Sequence, residues 1–184
     1  MQSDEISVLI TDFDTPMTDS YFGYRLCKMQ SLIASMATAM FNREYHRIES
    51  ALDDVPMCVF DCKVWTVPNA NDAWAWFLYR QTDCIKNSKT QATQTYLPHK
   101  DLLNLNADEM VGLLKERKGI DRNDYASGMK YGRTVMKHER PMEKDLPDGR
   151  HIEYMRSVWE AGQAHDFKEN DEFRKMILSY DNRN

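Results

Sequence analysis

No apolar run in this 184-residue chain approaches the roughly 20 residues that span a bilayer. Its first residues carry Asp4 and Glu5, where a secretory leader would carry basic side chains and an apolar stretch, so a cytoplasmic protein is expected. Cysteine is scarce: Cys27, Cys58, Cys62 and Cys84 are too few and too scattered for a disulfide framework. Cys58 and Cys62 lack a second Cys or His pair at zinc-finger spacing, and buried thiols are the expectation. Positive charge is also in deficit, 24 Lys and Arg against 29 Asp and Glu, which argues against an indiscriminate polyanion binder. Internal repeats, low-complexity stretches and a clear second domain are all missing. The expectation is one domain over residues 1–184, with a C-terminal extension from about residue 141.

The charge that is present is unevenly placed. Residues 1–62 carry 4 basic and 10 acidic side chains, whereas residues 112–140 carry 8 and 4. A phosphate-rich partner would be drawn to the second block, and the acidic start suits a metal. At that start, Gln2 to Thr11 reads as a strand, with Ile6, Val8 and Ile10 alternating against Ser7, Leu9 and Thr11. Neighbouring strand side chains point to opposite faces, so only one of Asp4 and Glu5 can be a direct ligand of a given ion. A strand-end carboxylate of this kind suits Mg²⁺.

A loop over residues 12–20 should lead, with Asp19 or Ser20 as N-cap, into a helix from about Tyr21 to Asn42. Its Leu26, Met29, Ile33, Met36 and Met40 spacing predicts a buried stripe. Arg25 and Lys28 share an edge near the anion-attracting end of that helix. Met57 to Val67 reads as a strand, and a helix from Asn71 or Asp72 to about Tyr96 should pack Trp74, Phe77, Leu78 and Ile85 on one side. On its other side Arg80, Asp83 and Asn87 line up, flanked by Lys86 and Lys89. A short amphipathic helix over Ala107 to Lys118 should stop at Gly119. Strands over Arg133 to Glu139 and Arg150 to Trp159 flank a Pro147-Asp148-Gly149 turn and predict a long hairpin; a further amphipathic segment carries Phe173, Met176, Ile177 and Leu178.

These motifs, in this order, resemble the tRNA-His guanylyltransferase family, reverse-direction polymerases that add nucleotides to the 5′ end of tRNA, and their template-dependent relatives. The resemblance is carried by Gln2-Ser3-Asp4-Glu5, Tyr21-Phe22-Gly23-x-Arg25-x-x-Lys28, Phe60-Asp61, Tyr79-Arg80-Gln81-x-Asp83, Lys118-Gly119-Ile120 and Tyr131-Gly132-Arg133. It implies an α+β polymerase palm, a ferredoxin-like antiparallel sheet backed by helices, using two Mg²⁺ ions on GTP or ATP. By the same resemblance Asp4 is catalytic and a metal ligand, Glu5 supports it, and Ser3, Arg25 and Lys28 contact the nucleotide. Arg80, Asp83 and Asn87 match positions that handle the tRNA end or the nucleotide. The implied partners are tRNA, a nucleoside triphosphate and further copies of the chain, as a dimer or tetramer. Ile85-Lys86-Asn87-Ser88 departs from the His-Ile-Asn-Asn of eukaryotic members and points to the template-dependent, repair-type branch. The family's upstream Asp-Gly-Arg-x-Phe-His segment, which supplies a second metal-binding aspartate, has no counterpart here; Asp148-Gly149-Arg150-His151 belongs to the hairpin turn. The expectation is therefore a nucleotidyltransferase incomplete as this chain, with one half of a split enzyme or a non-catalytic RNA-binding remnant as the alternatives. A nucleotide cyclase on the same palm is disfavoured, because the glycine-rich signature is missing.

Overall fold

A computed structural model describes residues 5–11, 17–49, 56–162, 165–169 and 171–179. It is α+β: five helices and a two-stranded antiparallel hairpin. The residues divide into two compact units. The larger holds the described residues of Met1–Ser7 and Trp74–Ile177, the smaller those of Val8–Ala73 and Leu178–Asn184.

In the smaller unit a 3-10 turn, Tyr21–Tyr24, precedes α1, Leu26–Ile48. The helix begins five residues later than the sequence suggests and runs six further. Its buried positions are also different, for Met29 and Asn42 are buried while Leu26, Met36 and Met40 of the expected stripe are exposed. The cause is polar. Thr38 and Asn42 turn inward to bind the backbone of residues 58–60: Asn42 Nδ2 donates to the Cys58 carbonyl at 2.7 Å, the Cys58 N–H donates to Asn42 Oδ1 at 2.9 Å, and the Phe60 N–H donates to Thr38 Oγ1 at 3.0 Å. Phe41 meets Phe60 edge-on at 5.4 Å beside them. Residues 57–67 keep the period-two burial of a strand, Cys58, Phe60, Cys62 and Val64 half-buried between exposed neighbours, but have no strand pairing. Residues 5–11 likewise alternate without pairing, and the strands expected over both stretches are not formed among the described residues. Side-chain hydrogen bonds from α1 take the place of a ladder at Cys58 and Phe60.

The larger unit is built on α2, Ala70–Tyr96, whose first turn lies in the smaller unit. Asn69 caps it, accepting from the Asp72 N–H at 3.0 Å. Trp74 and Phe77 pack against Phe167 and Phe173, with ring centroids 4.8–6.2 Å apart. Gln81 is 7% exposed and binds three separate segments: Nε2 donates to the carbonyls of Tyr131 at 3.2 Å and His165 at 2.8 Å, and Oε1 accepts from the Phe167 N–H at 2.7 Å. A second core gathers Leu97, Leu102 and Leu114, the last fully buried, with Met110, Leu113 and Ile120 around them. It is closed by α3, Ala107–Lys118, which ends as expected at Gly119 in the left-handed region, φ 69°.

At the start of α3, Asn106 accepts from the Asp108 and Glu109 N–H groups, and the Glu109 carboxylate accepts from the Asn106 N–H, a reciprocal capping box. Asn106→Ala should cost about 1 kcal/mol, read as a lower midpoint in urea denaturation with unchanged slope. After α4, Ser127–Tyr131, strands β1, Val135–Asp145, and β2, His151–Ala161, pair antiparallel from Val135 opposite Ala161 to Asp145 opposite His151. The hairpin is longer than expected and turns over Leu146–Arg150 with Gly149 at φ 84°. Helix α5, Glu172–Leu178, buries Ile177 completely.

Candidate functional site

Two of the expected groups of site residues can be placed, one in each unit. In the larger unit Arg80 forms an ion pair with Glu5, and its other terminal nitrogen lies 3.5 Å from Asp83 Oδ2. Three residues singled out from sequence, two of them 75 positions apart, thus share one cluster. Ser7 Oγ also donates to Glu5, at 3.3 Å. Burial alone would pull the Arg80 pKa down, but the hydrogen bond and charge of Glu5, with the charge of Asp83, outweigh it and push the pKa up. Its guanidinium stays a cation, lies 5.4 Å from the Tyr79 ring, and keeps a buried Nε with no partner among the described groups. Asn87, one turn beyond Asp83, is exposed and makes no contact with this cluster among those described. Ser3 and Asp4 lie outside the described residues.

Arg25 and Lys28 stand at the start of α1. Arg25 is the N-cap residue, with no side-chain cap, and its Nε donates to the Phe22 carbonyl at 3.3 Å. Lys28 extends over the Phe22 ring, 4.9 Å from its centre. The last three residues of the preceding turn, Phe22, Gly23 and Tyr24, are left-handed, at φ 51°, 59° and 55°. Only Gly adopts that region freely; each of the two aromatic residues costs about 1–2 kcal/mol there. Several local rules are broken at this one place. The helix end has no side-chain cap and no acidic residue in its first turn, and two cations sit at the positive end of its dipole. Such an end leaves the positive pole of the helix without a compensating negative group among the side chains of its cap and first turn. The sequence shows the cation pair, and Gly23 is the one sign of the turn; strain at Phe22 and Tyr24 is not readable from it.

The basic block is less open than its composition suggests. Lys115 pairs with Asp121 at 2.7 Å, Arg117 with Asp101 at 2.5 Å and Arg140 with Glu160 at 2.6 Å. Arg122 is buried, donating to the Lys130 carbonyl at 3.0 Å and to Ser88 Oγ at 3.3 Å. Its role is to hold the segment before the hairpin against α2, which sequence reasoning missed because a basic residue in a basic block reads as surface. Of the cysteines, Cys27 is exposed and the other three are half-buried; all four thiols are free, and burial pushes that of Cys84 up. Among the described residues Cys58 and Cys62 belong to no metal-binding cluster.

Against this geometry two solved structures are informative. The chain has a TM-score of 0.77 and 32% identity to a bacterial tRNA(His) guanylyltransferase (Thg1)-like protein in complex with ATP, over 97% of this chain and 69% of that one. The chain belongs to the Thg1-like family. A bacterial Thg1-like protein in complex with GTP gives a TM-score of 0.65 and 28% identity, over 97% of this chain and 66% of that one. This chain therefore spans about two thirds of the length of these Thg1-like relatives. No family model and no curated protein matches it.

Proposed function

We propose that this Thg1-like chain binds a purine nucleoside triphosphate and acts as a nucleotidyltransferase on the 5′ end of tRNA, extending it in the 3′-to-5′ direction. The observation that carries the reading is the start of α1, an uncapped helix end behind a strained left-handed turn with Arg25 and Lys28 beside it. Triphosphate oxygens accept from the open N–H groups there, and the two cations neutralise their charge. Relatives that hold ATP and GTP supply the nucleotide class. In the other unit Arg80, oriented by Glu5 and Asp83, is the cation that meets a phosphate of the tRNA end or nucleotide; Asn87 offers an amide to the same partner.

Two Mg²⁺ ions would activate the attacking hydroxyl and stabilise the leaving pyrophosphate. The described residues do not supply their donor set, because Glu5 and Asp83 are both taken up by Arg80. Metal binding in this reading rests on Asp4, which lies outside the described residues. Homo-oligomeric assembly and action in the cytoplasm belong to the same proposal.

The function is tested by incubating residues 1–184 with labelled GTP, Mg²⁺ and 5′-truncated tRNA, alone and with an upstream segment of a Thg1-like relative added separately. Transfer only in the second mixture fits a chain completed in trans. Transfer in neither, with tRNA still bound, favours an RNA-binding remnant. Lys28→Ala and Arg25→Ala should each raise the KM for the triphosphate by roughly tenfold, the loss of one charge-assisted hydrogen bond, without changing tRNA affinity. Lost tRNA affinity at unchanged nucleotide KM would place these side chains on the RNA instead.

A further inference from the structure

The outer face of the hairpin carries a cluster with no part in the nucleotide reading. Glu143 and Glu153 are direct partners across the β1–β2 ladder, and Asp145 and His151 pair two positions further towards the turn. Side chains of facing pairs two residues apart project from one side of a sheet, so all four share a surface. Three carboxylates thus crowd one imidazole, and like charges directly opposite one another destabilise a hairpin. In the turn, Asp148 and Arg150 are paired with each other at 2.7 Å.

We propose that this face binds a divalent transition-metal ion of the Zn²⁺ class through Glu143, Glu153 and Nε2 of His151. One ligand atom from each of the three residues lies within 4.8 Å of the other two. Ligands at tetrahedral zinc are about 3.4 Å apart, for bonds near 2.1 Å. Exposed side chains close that difference by rotation, without backbone movement. His151 is already oriented: Nδ1 lies 2.8 Å from Asp145 Oδ1, which places the ring proton on Nδ1, and Nε2 faces Glu143 Oε2 at 3.9 Å. A carboxylate behind a ligating imidazole is the usual outer support of such a site. The imidazole also decides the metal class. Mg²⁺ and Ca²⁺ take oxygen ligands, whereas one nitrogen and two carboxylates suit Zn²⁺ and its neighbours. Because the ligands come from both strands, the ion would fasten the hairpin beside its turn.

The test is Zn²⁺ titration of residues 1–184 by calorimetry, with hydrogen exchange followed by mass spectrometry. One equivalent should bind and slow exchange over residues 143–153. His151→Ala and the double variant Glu143→Gln/Glu153→Gln should each weaken binding by more than tenfold, and Asp145→Asn by about tenfold. All four side chains are exposed, so the variants should keep the far-ultraviolet circular dichroism of the parent. Undetectable binding, undiminished affinity in His151→Ala, or protection at the cysteines in place of the hairpin would each overturn the assignment.

Discussion

Arg80→Ala should lower nucleotide transfer by roughly 10²–10³-fold, the usual loss when a positioned charged donor is removed from a site where phosphate charge develops. The guanidinium is shared by two carboxylates and stacked near Tyr79, so it is held in one orientation before any substrate arrives. Arg80→Lys should recover only part of the rate, because an ammonium keeps the charge but not the planar fork. Stability should change little: these side chains are 24%, 38% and 40% exposed, and ion pairs open to solvent contribute at most about 1 kcal/mol. Steady-state rates and thermal melts on the same preparations separate the two roles. A melting temperature that falls steeply while the folded fraction keeps its full kcat would make Arg80 a structural residue and remove it from the site.

Gln81→Leu should be the most destabilising single change near the site, by about 3 kcal/mol. The amide makes three hydrogen bonds to backbone groups of Tyr131, His165 and Phe167, and an apolar side chain leaves all three without a partner. For a chain of this size that corresponds to a fall in Tm of roughly 6–12 °C. Gln81→Glu should be as harmful, since it keeps the acceptor for the Phe167 N–H but sets carboxylate oxygen against two carbonyls. Thermal and urea denaturation of both variants test this directly. A loss below about 1 kcal/mol in each would mean that the three segments are held together by the Trp74, Phe77, Phe167 and Phe173 rings, with the amide incidental.

Gln81 also marks where sequence reading stops. On α1 and α2 the apolar period shows which stretches are helical, but the positions buried among the described residues include Asn42, Gln81, Ser88 and Thr93. A polar side chain gives no sequence sign of facing inward, because its burial is favourable only when a particular backbone group, far along the chain, is there to meet it. For the same reason Leu26, Met36 and Met40 read as core and are exposed. Strand period was legible over residues 57–67, yet pairing needs a neighbour of matching register, and α1 side chains occupy three of the backbone groups that would pair.

What the sequence determined by itself is local, namely the glycine stop of α3, the α2 span and the hairpin turn, beside the order of motifs that places the chain with Thg1-like proteins. The three local features are each settled by residues within one or two turns of one another, where backbone geometry leaves few choices. Tertiary structure alone decided that Glu5 meets Arg80 across 75 residues, that Arg122 is a buried tie and that the aromatic residues before Arg25 take a left-handed turn. Those outcomes depend on partners brought together by folding. An ion pair, a buried guanidinium or a strained φ is stable only in the surroundings that the rest of the chain creates.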